Sequence, residues 1–178
     1  LPEAVYFIFA AFVIVGTVNS VNLTDGVDGL AAGTSIPVCL FFAVLTYVWG
    51  TEFLALGIFA SAIAGGLLGF LVYNFNPAKV FMGDTGSMFL GGMVTALAFI
   101  MGRPELVFFF GIVYIWDAMT VVIQRVYFKL THGKRIFRMT PIHHAFEMRG
   151  WKEVKIDFFF SLIAIIGVVL GLMYVYMA

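Results

Sequence analysis

The sequence has little charge and almost no cysteine. Only 11% of its 178 residues are charged, whereas 62% are hydrophobic, and ten basic residues balance ten acidic ones. Soluble domains carry roughly 25% charged residues, so this chain lacks the polar surface that a water-soluble fold requires. The net charge of zero gives no general attraction to nucleic acid, and we expect no nucleic-acid partner. The single cysteine, Cys39, excludes a disulfide framework and a thiolate metal cluster.

Long apolar runs dominate what is present. A bilayer core of about 30 Å is crossed by about 20 apolar residues in a helix. We therefore predict an all-α fold, a polytopic transmembrane helix bundle that occupies residues 1–178 as a single domain. The six expected spans are residues 3–20, 34–50, 53–73, 86–102, 105–128 and 156–177.

Three of the connections are long and polar, and they cover about residues 20–33, 74–85 and 129–155. Helices that alternate in direction place these loops on one side of the membrane. Together with the end of the fifth run, that side holds nine of the ten lysine and arginine residues, and only Arg103 lies on the other. This excess of basic residues predicts that the three loops face the cytoplasm.

Two stripes of small residues recur every four positions: Gly57, Ser61, Gly65 and Gly69, and then Gly167 and Gly171. Such stripes let two helix backbones approach closely in a membrane. We interpret them as contacts inside the bundle, with a homodimer interface as the alternative.

The first loop holds two Asp-Gly pairs, Asp25-Gly26 and Asp28-Gly29, three residues apart. In so compact a turn the two carboxylates can converge on a ligand. The alternative is structural, a helix exit followed by an aspartate that caps the next helix. A calcium-binding EF-hand is excluded because the following run is apolar and supplies no glutamate ligand.

The second loop ends in Gly83-Asp84-Thr85-Gly86-Ser87, directly before an apolar run. Its glycines let the backbone approach a ligand, and the free N–H groups at the start of a helix bind anions, with the Ser87 hydroxyl as a further donor. A carboxylate beside a phosphate-binding backbone favours a diphosphate bridged by Mg²⁺. Phe81 belongs either to an aromatic belt at the membrane surface or to a platform on which a base stacks.

The third loop combines basic residues with two adjacent histidines, His143 and His144. The basic residues are typical of contact with anionic membrane lipid. The imidazoles suit phosphate binding, proton transfer or metal ligation, although the spacing excludes an H-E-x-x-H zinc site.

One acid, Asp117, lies inside the fifth apolar run, with Thr120 and Gln124 on the same helical face. Acids at membrane depth are costly and are commonly functional. The alternative for Asp117 is a packed polar contact between helices.

Three segments together, Asn22–Gly29, Asn74–Ser87 and Thr140–Glu147, resemble the polyprenyl-phosphate sugar-1-phosphate transferases. They are most similar to the branch that acts on UDP-MurNAc-pentapeptide, which carries N-L-T-D-G-L-D-G, F-M-G-D-T-G-S and P-[LI]-H-H-H-F-E. The first two motifs differ from this sequence only at Val27. The resemblance extends over essentially the whole chain.

The resemblance implies transfer of phospho-MurNAc-pentapeptide from UDP-MurNAc-pentapeptide to undecaprenyl phosphate, giving lipid I and UMP in peptidoglycan synthesis. It implies a multi-pass protein of the bacterial inner membrane, with Mg²⁺ at a cytoplasmic active site. By resemblance, Asp84 is the principal metal ligand and Asn22 the second. The implied catalytic residues are Asp25, Asp84 and His143. The implied substrate-binding residues are Asn22, Asp28, Asn74, Phe81 (stacked on uracil), Gly83, Ser87, Gln124 and His144.

Two departures from the family pattern stand out. The third histidine of the triplet is Ala145 here, so no third imidazole is expected. The aspartate pair that the family carries in its N-terminal half is absent from this sequence, which begins at Leu1. We therefore expect the chain to be the C-terminal part of a larger transferase and to show no turnover by itself.

Two other functions remain as alternatives. A related enzyme acting on UDP-GlcNAc would have a differently spaced histidine-arginine motif in place of Thr140–Glu147. A transporter with an acidic gate at Asp117 would leave the Gly83–Ser87 segment without a role, and no internal repeat typical of transporters is present.

Overall fold

The computed structural model of the protein describes residues 2–177. Its long helices are α1 (Glu3–Thr24), α2 (Leu30–Trp49), α3 (Leu54–Asn74), α4 (Gly83–Ile100), α6 (Ile112–Leu130) and α8 (Glu153–Met177). Two short helices, α5 (Val107–Phe110) and α7 (Ile142–Glu147), lie between them. Single 3₁₀ turns, Thr51–Phe53 and Pro104–Leu106, precede α3 and α5.

The helices are those of a polytopic membrane protein. Five of them, α1 to α4 and α8, are each long and apolar enough to cross a bilayer. The segment Pro104–Phe110 together with α6 makes a sixth span if this bent pair is counted as one. The predicted transmembrane helix bundle is confirmed, and residues 2–177 contain no strand.

The fifth predicted span, residues 105–128, is wrong as a continuous helix. α5 ends at Phe110, and the helix axis turns by 82° before α6 continues from Ile112. Gly111 occupies the break, and glycine is a common site of helix breaks because its helix propensity is low. The residues around the break are apolar, so hydropathy alone does not reveal the bend.

Beyond the bend, α6 has two different faces. Its buried face carries the polar side chains Asp117, Thr120 and Gln124. The opposite face exposes apolar side chains, namely Met119, Val122, Ile123, Val126 and Leu130. Because α6 packs against α1, α7 and α8, its polar residues lie inside the protein and its apolar residues are left to lipid.

The polar loops are shorter than the predicted ranges 20–33, 74–85 and 129–155, because the helices extend into them. α1 continues to Thr24, α2 begins at Leu30 and α4 begins at Gly83. The Ser20 and Thr24 hydroxyls donate to carbonyls four residues back, at 2.6 and 3.0 Å, so these polar residues continue the helix. The third loop contains its own helix, α7.

The core is centred on α2, which packs against α3 and α8, while α1 packs along α4. Phe41 and Phe42 of α2 meet Phe110 with ring centroids 5.6 and 5.0 Å apart. Tight packing of this kind is what holds helices together in lipid, where transfer from water no longer contributes.

Gly91 allows α1 and α4 to approach closely. A Cβ added at Gly91 would lie 2.7 Å from the Val18 Cα atom and 3.1 Å from the Thr17 carbonyl oxygen. No side chain larger than hydrogen fits this contact unless the helices move apart.

The two predicted small-residue stripes have different outcomes. Gly57 packs against α2, and Gly167 and Gly171 pack against α5, as expected for contacts inside the bundle. For Gly65 and Gly69, where an added Cβ would meet nothing within 4 Å in the described chain, a contact inside the bundle stays a prediction. A homodimer through this exposed part of α3 stays a prediction.

The three polar loops meet at one end of the bundle. Asp28 of the first loop bonds to Ala78 of the second, and Gly26 of the first packs against His143 of the third. At the opposite end, Arg103 lies over the Trp49 ring at 5.7 Å. The placement of the long loops on one side is therefore confirmed, and their cytoplasmic orientation stays a prediction.

Gly91→Ala should destabilise the bundle, because the added methyl group must push α1 and α4 apart. Overpacking of this kind costs about 1–3 kcal/mol. Gly92→Ala is the matched control, since a Cβ at Gly92 meets nothing within 4 Å. Thermal unfolding of the detergent-solubilised protein measures both variants, and equal midpoints would contradict the close approach of the two helices.

Candidate functional site

Asp28 joins the first loop to the second. Its Oδ2 accepts the Ala78 backbone N–H at 2.8 Å and the Asn76 side-chain amide at 3.4 Å. The Asn76 amide also donates to Glu153 Oε2 at 2.9 Å, at the start of α8. Asp28 does not cap α2: Gly29 precedes that helix, with φ 83° and no side-chain cap, so the alternative of an aspartate cap is wrong.

Asn74, at the end of α3, adds a second connection between the same two loops. Its side-chain oxygen accepts the Gly29 backbone N–H at 3.2 Å, and its amide donates to the Val80 carbonyl at 2.9 Å. Asn74 is buried, and these bonds engage both ends of its side chain. It thereby fixes the walls of the site, and direct contact with substrate stays a prediction.

Asn22, in the last turn of α1, connects to the start of α4. Its amide nitrogen donates to Asp84 Oδ1 and to Ser87 Oγ, both at 2.9 Å. Asp84 is exposed in the first turn of α4, while Ser87 one turn later is buried. The structure therefore brings together three of the predicted site residues from two loops.

Asp25 lies in the first loop, near Asp84. Burial raises the pKa of the Asp25 carboxyl from 3.8 to about 6, and the negative charge of Asp84 contributes to this rise. Two carboxylates that repel each other in a partly buried place favour a proton or a cation between them. This electrostatic arrangement distinguishes Asp25 from Asp28, which is bound by N–H donors.

His143, on α7, is fully buried and lies between the first loop and α6. Its Nδ1 lies 3.0 Å from Asp117 Oδ2, and both side chains are 0% exposed. On the other side of the ring, a Cβ added at Gly26 would lie 2.6 Å from Nε2. Asp117 is thus a packed polar contact, made with the third loop.

His144 lies beside His143, with ring centroids 4.3 Å apart. Its Nδ1 bonds to the carboxylate of Glu147 on the same helix. Its Nε2 would lie 3.1 Å from a Cβ at Gly26, so both imidazoles direct Nε2 toward the Asp25-Gly26 turn. Ala145, at the position of the family's third histidine, is buried.

A cavity of about 550 Å³ opens between α6 and the third loop. Its walls carry three cations and several apolar or polar groups: Arg125, Lys129, Arg135, Gln124, Phe128, Phe137, Met139 and Thr140. None of these residues is acidic, so the cavity suits an anion that also has an apolar part.

Gln124 connects this cavity to the third loop. Its side-chain oxygen accepts the backbone N–H groups of Ile136 and Phe137 at 3.1 and 2.9 Å. The bonds hold the loop against α6 and leave the amide nitrogen of Gln124 for a ligand.

Phe81 and Gly83 lie at the edge of the site. The Phe81 ring is 72% exposed, and a Cβ added at Gly83 would meet nothing within 4 Å. The Gly83 carbonyl accepts the Ser87 hydroxyl at 3.0 Å. The roles of Phe81 and Gly83 toward a nucleotide stay predictions.

Few side chains at this site could act as metal ligands. In residues 2–177, no three histidine, cysteine, aspartate or glutamate side chains converge as a metal cage. The available donors are the carboxylates of Asp84 and Asp25, together with the side-chain oxygen of Asn22, whose nitrogen is engaged by Asp84 and Ser87. Such a set fits Mg²⁺, which takes one or two carboxylates and fills its other positions with phosphate oxygens and water.

Three polar residues of this region were not singled out from the sequence: Asn76, Glu153 and Asp157. Asp157 is buried in the first turns of α8, and a Cβ added at Gly33 of α2 would lie 2.6 Å from its Oδ1. An acid inside an apolar run was the available signal for Asp157. Nothing in the sequence indicates that Asn76 links Asp28 and Glu153, which lie 48 and 77 residues away from it.

The fold and the site together define a polytopic membrane protein with carboxylates, amides and imidazoles gathered at one end of its helix bundle. Its family follows from a comparison with known proteins: the chain belongs to glycosyl transferase family 4, whose family model matches residues 1–102. The matched region contains the first two loops and the helices that hold them.

Several curated relatives carry the name phospho-N-acetylmuramoyl-pentapeptide-transferase. The protein of Caldanaerobacter subterraneus is 51% identical over 162 residues, which are 91% of this chain and 50% of that protein. Those of Clostridium novyi and Listeria welshimeri are 50% and 46% identical over 166 residues, 93% of this chain and 50% and 51% of theirs. The chain spans about half the length of the curated relatives it matches.

Asp25→Asn should change how stability depends on pH in metal-free buffer. The folded protein, in which the pKa of Asp25 is about 6, binds more protons than the unfolded chain, where it is near 3.8. The free energy of unfolding therefore falls as the pH rises from about 4 to about 6. The asparagine variant removes this fall. We therefore expect its free energy of unfolding at pH 7 to exceed that of the wild type by about 1 kcal/mol, after allowance for solvent screening.

Thermal unfolding at pH 4.5 and pH 7 tests this expectation. Asp28→Asn is the matched control. It replaces a carboxylate that accepts two hydrogen bonds by an amide, so it should destabilise the protein at pH 7. A variant at position 25 that follows the wild type at both pH values would refute the electrostatic account of Asp25.

Proposed function

We propose that this chain is the C-terminal part of an enzyme that transfers phospho-MurNAc-pentapeptide from UDP-MurNAc-pentapeptide to undecaprenyl phosphate, giving lipid I and UMP. The site would face the cytoplasm from the inner membrane of a bacterium, in peptidoglycan synthesis. The observation that carries the proposal is the convergence of three loops around Asp25, Asp84 and His143. It occurs in a chain 51% identical, over 162 residues, to a phospho-N-acetylmuramoyl-pentapeptide-transferase.

A diphosphate is the substrate group that this arrangement suits best. The first turn of α4 offers free N–H groups, which attract phosphate oxygens. His143 and His144 direct ring nitrogens toward the neighbouring turn, where they can donate to or accept from a phosphate. Phe81 directly precedes Met82, the residue before α4 begins. Its exposed ring is therefore within reach of a base attached to that diphosphate.

Asp84 and the side-chain oxygen of Asn22 are the residues that would hold Mg²⁺, with Asp25 beside them. When bound, the ion neutralises negative charge on the diphosphate and so favours attack by another anion. The protein's own contribution is positioning, which phosphoryl transfer requires more than covalent chemistry. The bonds from Asn22 and Asn74 supply it by fixing the first two loops.

The transfer is a displacement at the phosphorus that carries the sugar. An oxygen of undecaprenyl phosphate forms the new bond to that phosphorus, while the bond to the UMP oxygen breaks and UMP leaves with its electron pair. Asp25 and His143 are the proposed proton-handling groups, because both lie at the turn where the loops meet.

Transfer from UDP-GlcNAc is the alternative. Within the three motifs, the sequence departs from the MurNAc-pentapeptide pattern at Val27 and Ala145. Competition between UDP-GlcNAc and labelled UDP-MurNAc-pentapeptide for UMP release separates the two substrates. A gate at Asp117 in a transporter has no support, because Asp117 is 0% exposed and bonded to His143.

Asp84→Asn, in the intact transferase that contains this chain, should lower UMP release about 100-fold or more, the magnitude for loss of one electrostatic contact to a transition state. Glu105→Gln is the matched control, because Glu105 pairs with Arg103 at the opposite end of the bundle. The 178-residue chain alone should release no UMP. Full activity of the position-84 variant would remove the metal assignment.

The cationic cavity is the proposed place for the phosphate of the lipid substrate. Replacing Arg125 and Arg135 together by glutamine should raise the KM for undecaprenyl phosphate roughly 30-fold, since each cation near a membrane surface contributes about 1 kcal/mol. The KM for UDP-MurNAc-pentapeptide should stay unchanged. Lys152→Gln is the control outside the cavity, and an equal rise in KM there would show a general charge effect.

A further inference from the structure

Asp117, on α6, and His143, on α7, form an ionisable pair inside the protein. Both side chains are 0% exposed, and His143 Nδ1 lies 3.0 Å from Asp117 Oδ2. The two residues are 26 positions apart in the sequence. The 82° bend between α5 and α6 sets the direction in which α6 runs. A buried acid without a donor would be costly, so this contact accounts for an aspartate at that position.

The contact determines which nitrogen of the imidazole carries the proton. A carboxylate can only accept, so the hydrogen bond requires a proton on Nδ1. In the neutral ring Nε2 then has no proton and presents a lone pair. Nε2 is buried and has no hydrogen-bond partner in the described residues.

The space in front of Nε2 depends on a glycine. A Cβ at Gly26 would lie 2.6 Å from Nε2 and 3.1 Å from His144 Nε2. Gly26 is exposed, and its φ is not among the positive values of this chain, so its small size is what matters here. The unpartnered nitrogen therefore faces the Asp25-Gly26 turn of the first loop.

We propose that Asp117 is a positioning residue that holds His143 as the Nδ1–H tautomer, so that Nε2 accepts a proton from a P–OH group of a phosphate bound at the Asp25-Gly26 turn. The imidazolium that results keeps its Nδ1–H bond, and the Asp117 carboxylate balances its charge. The proton passes from the phosphate oxygen to Nε2 and later to water, so the step needs no other reactant. This inference rests on the proposed phosphate-transfer function.

Two variants of Asp117 separate the effect of its charge from the effect of its size. Asp117→Asn keeps the size of the side chain, but its amide can donate to Nδ1 and select the Nε2–H tautomer. Asp117→Glu changes the size and keeps the carboxylate. If Asp117 positions His143, the asparagine variant should lose about 100-fold or more in kcat with little change in KM, and the glutamate variant should retain more activity.

The tautomer is measured directly, in the intact transferase labelled with ¹⁵N-histidine. The His143 resonances are assigned by their loss in His143→Gln. We expect a protonated Nδ1 in the wild type and in Asp117→Glu, and a protonated Nε2 in Asp117→Asn. This readout requires no turnover, so it separates a failure of the present inference from a failure of the proposed function.

Gly26→Ala provides a second and independent test. Its methyl group should occupy the space at Nε2, so kcat should fall while the Nδ1–H resonance stays in place. Gly92→Ala, which meets nothing within 4 Å, should leave activity unchanged. The proposal is overturned if asparagine at position 117 keeps the Nδ1–H tautomer and wild-type kcat, or if it is more active than glutamate while both variants unfold at the wild-type temperature.

Discussion

The contact between α1 and α4 at Val18 and Gly91 sets the register on which the site depends. The two helices run in opposite directions, and residues four apart lie one turn apart on the same face. One turn beyond Val18 is Asn22, and one turn before Gly91 is Ser87. These two side chains are hydrogen-bonded at 2.9 Å, and Asp84 accepts from the same amide. An apolar contact within the bundle thus determines where the carboxylate of the second loop lies.

The sequence predicted those parts of the molecule that depend on local pattern. Apolar length gave the number of spans, and the distribution of basic residues grouped the three polar loops on one side. Motif resemblance selected Asn22, Asp84 and Ser87, which the structure brings together. It also selected residues such as Phe81 and Gly83 whose roles involve a substrate, and contacts within the chain do not test those roles.

The remaining features depend on contacts between distant parts of the chain. The break at Gly111 lies in an apolar run, and a single glycine there is equally compatible with a straight helix. The pairing of Asp117 with His143 follows from that break and from the position of α7, neither of which has a local pattern. Asn76 likewise joins Asp28 to Glu153 through the tertiary fold alone. The predicted helix ends differ from the observed ones by a few residues, because hydroxyl side chains can bond back to their own helix.

Three of the bonds that hold the first two loops in place join a side chain to the main chain. Asp28 accepts the N–H of Ala78, and Asn74 bonds to the N–H of Gly29 and the carbonyl of Val80. Every amino acid supplies a carbonyl, and every one except proline supplies an N–H. Positions 78 and 80 should therefore vary freely among natural variants, apart from proline at 78, while Asp28 and Asn74 accept few replacements. The protein can change the surface chemistry of its second loop during evolution without moving the loop.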